Sequence, residues 1–357
     1  MAYCRKRSLF AVYSSPVKFR IYLLRSLIFY FAALIGGIAS GQDIHLTQYY
    51  LNPLTVNPAQ CGNFDPDFRL SGIHRNQWRQ MGRPYQTTAL SYEQNVFIYS
   101  EHTSAGLVYV RDESGQVDLI SDRFFLSTAY HKKWGPHHFH GGLQGGLVLK
   151  SFNTSMGSLP DQYDRNTGGF NAALPTSEPK QAFQTTYADF NTGFAYGFER
   201  KRWKADGGIA FFHFNRPDEG FFGIPYPLPV RTTLTAFGEF RLNNKVSLHP
   251  TLLYSWHSKA SEMLGGGRVT YYLLENKWSA KGAYVGLIFR DGFDRNADAT
   301  IVALGMDFKR LQAGISYDIT ISELKAANDR RGAWEIAFIY YGLQSKLPQK
   351  TLPCDRY

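Results

Sequence analysis

From Asp67 to residue 343 the chain alternates apolar and polar positions in strand-length runs separated by turns or loops. The clearest run is Leu311–Ser322. Leu311, Ala313, Ile315, Tyr317, Ile319 and Ile321 share one face, and Gln312, Gly314, Ser316, Asp318, Thr320 and Ser322 share the other. A helix does not sustain a period of two over such a span. Fourteen runs of this kind can be marked, from 67–78 and 84–97 at the start to 310–321 and 332–343 at the end. An even count lets an antiparallel sheet close on itself with no exposed edge and with both termini on one side. The connections 152–182, 215–228, 291–298 and 322–331 are long or polar and all fall at one end. Most of those at the other end, such as Arg200-Lys201 and Asn243-Asn244, are tight. The pattern predicts a closed antiparallel transmembrane β-barrel of the outer-membrane type, with about 14 strands over residues 67–343. A soluble β-sandwich does not segregate its long loops in this way.

Two segments flank the barrel. Residues 42–66 carry Asn52-Pro53 and Asn57-Pro58, pairs that favour turns and oppose strands. This stretch is expected as an ordered periplasmic segment outside the barrel, and residues 344–357 as a short polar periplasmic tail. At the start, six basic residues and no acids among residues 1–41 accompany the apolar run Ser26–Ile38, followed by Ala39-Ser40-Gly41. That run is shorter than the roughly 20 residues a membrane-spanning helix needs. The small residues suit signal peptidase, so residues 1–41 read as a signal peptide removed before Gln42.

Composition agrees with a folded β protein. Aromatic residues make up 16% of the 357 residues and charged residues only 19%, with 33 glycines. Such a chain is too aromatic for disorder and poor material for a helical bundle. The net charge of +10 comes largely from the leader; beyond it, 33 basic residues face 29 acidic ones, leaving +4. They are scattered, so no nucleic-acid footprint is present.

The run Gln48-Tyr49-Tyr50-Leu51-Asn52-Pro53-Leu54-Thr55-Val56-Asn57-Pro58-Ala59, with Gly62 and Arg75-Asn76-Gln77-Trp78, resembles the opening of the PorP/SprF family. The closing run Gly314–Leu324, the sequence Gly332-Ala333-Trp334-Glu335-Ile336 and Cys354 resemble its C-terminal part. Gln60-Cys61 and the final Asp355-Arg356-Tyr357 depart from the usual pattern. The resemblance implies an outer-membrane barrel of the type IX secretion system of Bacteroidota. Such a protein handles export or surface attachment of specific cargo proteins, gliding adhesins among them. Its expected partners are the cargo C-terminal domain, periplasmic or outer-membrane secretion components and outer-membrane lipid. By resemblance, Asn52, Pro53, Asn57, Pro58, Arg75, Gln77 and Trp78 mark an N-terminal motif, and Tyr317 and Asp318 a C-terminal one. These are family-motif positions with either partner-binding or structural roles. The competing class is a channel or uptake barrel for a small or hydrophobic solute, which the fold alone does not distinguish.

No local catalytic motif is present: the chain has no Gly-x-Ser-x-Gly, no His-Glu-x-x-His and no phosphate-binding glycine loop. No enzymatic activity and no cofactor are expected. His131, His137, His138 and His140 lack neighbouring carboxylates or thiolates, and a His-rich periplasmic turn explains them better than a metal site. Asp291, Asp294, Asn296 and Asp298 lack the glycine and glutamate of an EF-hand loop and read as ordinary loop acids. After leader removal only Cys61 and Cys354 remain. In an oxidising compartment, with the flanking segments emerging side by side, they form either a disulfide or two free thiols. Phe221, Phe222 and Tyr226 make loop 215–228 unusually apolar. They provide a surface-loop contact, or else fold into the lumen or the lipid interface.

Overall fold

The computed structural model describes residues 43–343, apart from the short segments 80–82, 99–100, 116–117, 155–159, 172, 178–180, 222, 259, 274–279, 293–296 and 324. The expected signal peptide, the tail 344–357 and Cys354 lie outside the described residues.

The alternating runs become the strands β1 (Phe68–Gln77), β2 (Tyr85–Ile98), β3 (Glu101–Ser114), β4 (Leu119–Trp134) and β5 (His137–Asn153). A two-stranded hairpin, β6 (Tyr163–Asp164) and β7 (Gly169–Phe170), sits within the following long loop. The wall resumes with β8 (Ala182–Arg200), β9 (Trp203–Phe212), β10 (Arg231–Arg241), β11 (Val246–His257) and β12 (Ala260–Tyr272). It ends with β13 (Ala280–Gly292), β14 (Ala297–Phe308), β15 (Leu311–Thr320) and β16 (Arg331–Tyr341). All neighbours pair antiparallel, and β1 pairs with β16, from Arg69 opposite Tyr341 to Gln77 opposite Ala333, closing a fourteen-stranded barrel. The long connections, including 154–181 and 213–230, share what we call the loop end; the connections between β4 and β5 and between β8 and β9 belong to the turn end.

Alternation sets the two faces of this wall. On β4, Leu126 is 68% exposed while Phe125 and Ser127 beside it are buried. Leu90, Leu107, Leu143, Phe194, Val285, Ile315 and Ile336 point outward in the same way. An apolar exterior over a polar interior is the membrane-barrel pattern. At the turn end, Tyr130, Trp134, Phe139, Tyr196 and Trp203 lie exposed on the outer surface, where interfacial aromatics belong.

One expectation fails. Residues 43–66 were expected outside the barrel, yet they lie inside it, running from the loop-end half of the lumen to the turn end, where β1 begins. Leu46, Tyr49, Leu51, Leu54, Ala59 and Cys61 are all buried. Leu46, Leu51 and Leu54 pack with Ile73, Val108, Val110 and Phe125. Tyr49 and Val56 pack with Leu253, Leu264, Ile288 and Ile301 on another side of the wall. The segment is therefore a plug with apolar contacts in two directions. The sequence reading was correct that it forms turns, but a segment rich in Leu and Tyr buries that surface where apolar partners exist.

Candidate functional site

The plug is built from three consecutive 3-10 turns: Tyr49–Leu51, Pro53–Thr55 and Pro58–Gln60. Each Asn-Pro pair starts a turn, since proline presets φ at a first helical position; Asn57 also caps its turn through its side chain, whereas Asn52 makes no such bond. At the third turn Asn57 is extended and its Oδ1 accepts a hydrogen bond from the Ala59 amide at 2.9 Å. Its Nδ2 donates to the Phe194 carbonyl of the wall at 3.1 Å, and Asn52 Nδ2 donates to the Ala89 carbonyl. The wall is cut to receive this turn. A Cβ on Gly142 would meet Pro58 and Ala59, and one on Gly193 or Gly208 would meet the Asn57 carboxamide. These three glycines lie on the neighbouring strands β5, β8 and β9, with Gly142 directly opposite Gly193. Only glycine permits so close a backbone approach.

Polar anchors hold the plug at three places. On one side of the loop-end half, Glu335 Oε1 and Oε2 accept hydrogen bonds from the successive amides of Thr47 and Gln48 at 2.6 and 2.8 Å. Arg75 bridges Glu335 at 2.7 Å and Asp318 at 2.9 Å, and donates to Thr47 Oγ1 and Gln77 Oε1. Arg290 completes the cluster on Asp318 at 2.8 Å. Arg290 also meets Glu262 at 3.2 Å and Asp298 at 3.8 Å, and within this cluster Arg75, Asp318 and Glu335 are almost wholly buried. A buried charge of this kind persists only when paired.

On another side, Asp43 meets Arg123 at 2.7 Å, Arg231 at 3.0 Å and His213 at 3.2 Å, while His213 Nδ1 meets Asp189 at 2.8 Å. Burial would raise the Asp43 carboxyl, but Arg123, Arg231 and His213 together hold it well below the usual carboxylate range. Burial would lower the His213 imidazole; its bonds to Asp189 and Asp43 outweigh that and raise it. Near the turn end, Arg69 grips Glu93 through two bonds of 2.7 Å, and Glu93 accepts from the Gly62 amide at 3.0 Å. The Cys61 carbonyl accepts from Ser104 at 2.6 Å, and His131 Nε2 lies 2.8 Å from it. Burial pushes the Cys61 thiol up to about 12.

The structure therefore joins most of the motif residues read from the sequence. Asn52, Pro53, Asn57 and Pro58 form the plug turns; Arg75, Gln77 and Asp318 face the lumen and hold it. The two ends of the sequence meet because β1, β15 and β16 are neighbours. Tyr317 does not join them: it points outward and is 44% exposed. Trp78 stands at the end of β1 with φ 55° and packs edge-on against Tyr85, with ring centroids 5.2 Å apart. Cys61 is buried and has no disulfide partner among the described residues, Cys354 lying outside them. Phe221 packs edge-on to Phe152 at 4.7 Å, and Tyr226 is half-buried with its amide bonded to Asp218; Phe222 lies outside the described residues. His131 and His140 face the lumen with their Nδ1 atoms 2.6 Å apart, whereas His137 points away toward Tyr196. Among the described residues no three His, Cys, Asp or Glu side chains gather as metal ligands. Asp298 is engaged by Ser322 and Arg290; Asp294 and Asn296 lie outside the described residues.

Sequence reasoning missed Thr47, Asp43, Arg69, Glu93, Arg123, His213, Arg231, Arg290 and Glu335. Alternation marks many of these as lumen-facing. What each meets depends on where the plug lies, which no periodicity reveals.

Comparison with known proteins adds three findings. Residues 38–340 match the family described as type IX secretion system membrane protein PorP/SprF. No curated protein gives a significant match. Among solved structures the chain is similar to the CymD monoaromatic hydrocarbon channel at 10% identity, TM-score 0.49, covering 87% of this chain and 96% of that one. It is similar to the P. putida toluene transporter TodX at 10% identity, TM-score 0.48, covering 82% and 94%. For CdiB from Acinetobacter baumannii the values are 9%, 0.39, 77% and 60%.

Proposed function

The chain belongs to the PorP/SprF family of type IX secretion membrane proteins, and from that premise we propose that it is a non-enzymatic docking barrel for specific secreted cargo. Its outer-membrane place in a secretion system follows from the family and the barrel. The finer reading is that it handles export or surface attachment of particular proteins, such as adhesins, with the loops 154–181 and 213–230 outside the cell. The cargo C-terminal domain and other secretion components would be its partners. One observation carries this: the lumen is occupied by residues 43–66, anchored at three places by buried hydrogen-bonded charges. A barrel so filled is suited to present surfaces rather than to pass solute.

Deleting the gene, with a complemented control, and comparing surface and medium proteins by mass spectrometry tests the reading. Loss of one or a few proteins from both fractions is expected. Unchanged protein output combined with failed growth on a solute would replace it with the channel reading.

A further inference from the structure

A cavity of about 300 Å³ lies beside the plug in the turn-end half of the lumen, lined by plug residues between Tyr50 and Asn63, by Arg69 of β1 and by inward residues of β9 to β13, the charged Lys204, Asp206 and Glu239 among them. Its volume is at the lower end of small-ligand pockets. Arg268 of β12 faces it, opposite His249 of β11 on one side and Gly286 of β13 on the other. The guanidinium stands 4.6 Å from the Tyr50 ring centroid and 5.3 Å from that of Tyr284. Tyr284 is itself pressed to the wall, lying where Cβ atoms on Gly305 and Gly314 would be.

The other lumen arginines show what is unusual here. Arg69, Arg75, Arg123, Arg231 and Arg290 each meet a carboxylate at 3.0 Å or less. Among the described residues no carboxylate comes within ion-pair distance of Arg268; its buried Nε has no hydrogen-bond partner, and whereas the Nε atoms of Arg231 and Arg290 also lack one, theirs lie 3.0 and 3.2 Å from carboxylates. The buried Nε2 of His249 beside it has none either. Two donor-capable groups, flanked by aromatic rings, thus face an open cavity whose lining includes Phe237. A planar guanidinium with free donor capacity matches a carboxylate in shape and charge.

We propose that this cavity binds a carboxylate-bearing ligand, its acid group on Arg268 and its apolar body over Phe237 and Pro53. The C-terminus of a peptide and a small aryl acid share that chemistry. The inference goes beyond the secretion reading and does not depend on it.

The test uses the full chain in detergent micelles and fluorescence anisotropy of an N-terminally labelled pentapeptide ending in Leu-Phe. Its free acid is compared with its C-terminal amide, and binding of 3-phenylpropionate is measured by calorimetry. Saturable binding of at least one of the two acids is expected, and a bound peptide should weaken about tenfold or more on amidation. Arg268→Met should cost a similar factor and Arg268→Lys less, whereas Arg111→Met, on β3 away from this cavity and paired with Glu113, should change nothing. Binding of the peptide alone assigns the site to a peptide terminus; binding of phenylpropionate assigns it to small acids. Absence of binding by both acids, equal binding of peptide acid and amide, or equal competition by inorganic phosphate would overturn the proposal. So would unchanged binding in a folded Arg268→Met protein. Should that variant fail to fold, the wild-type acid, amide and phosphate comparisons still decide.

Discussion

The wall and the plug use the same residue types under opposite rules. In the wall, a period of two sends every second side chain to lipid, and each strand needs only its neighbours for its backbone bonds. In the plug, residues 43–66 have no period, and three short turns depend on side chains from strands distant in sequence: Glu335 for two amides, Glu93 for a third, and glycines on three strands for space. The wall's strand pairing closes without any backbone bond from the plug, whereas the plug takes acceptors and space from the wall. Its seating is therefore the part of the molecule most open to perturbation.

Glu335→Ala should separate the two regions most strongly. It removes the acceptor for two plug amides and leaves Arg75 with one carboxylate in a buried site, a loss on the order of 3–5 kcal/mol. Limited proteolysis should then cut within 43–66 while the strands stay intact; an uncut plug would show that the anchor is redundant. Gly193→Leu attacks from the wall, placing a side chain where Asn57 lies, at a cost of about 1–3 kcal/mol by overpacking. Planar-bilayer conductance should appear in this variant with an unchanged β spectrum, and a silent membrane would contradict the fit. Asn57→Ala should cost about 1 kcal/mol, the worth of a lost cap, seen as faster amide exchange confined to 57–61.

A pH test reaches the loop-end anchor. The His213 imidazole is raised in the folded protein by Asp189 and Asp43, so its stabilising contribution is full below the unfolded value near 6.5 and is lost as pH rises through the raised value. Asp43, held low, stays charged throughout. Exchange at 43–47, corrected for its intrinsic rate, should speed up as pH rises above 6.5 through the raised His213 value; a flat profile would mean His213 does not bear on the plug. Tyr317→Phe, on the lipid face, should move stability by less than about 0.5 kcal/mol in thermal melting.

This division also explains what the sequence revealed. Strand positions were legible because alternation is local: the run expected at 84–97 is β2, Tyr85–Ile98, and that at 310–321 is β15, Leu311–Thr320. The turns at Asn52-Pro53 and Asn57-Pro58 were legible for the same reason. Their location was not. Asp318 and Arg75 lie 243 positions apart, and Glu335 reaches the Gln48 amide across 287; closure of β1 on β16 creates those meetings. Tyr317, the motif neighbour of Asp318, faces the other side of the strand, where the alternation of 311–322 placed it.

Hydrogen–deuterium exchange of the full chain in micelles, resolved to the peptides covering 46–62, tests the central claim most directly. A plug held by buried charges and glycine-lined wall contacts should exchange as slowly as the strands around it. Exchange of those amides at free-loop rates, with the barrel still protected, would show that the lumen is not closed by this segment.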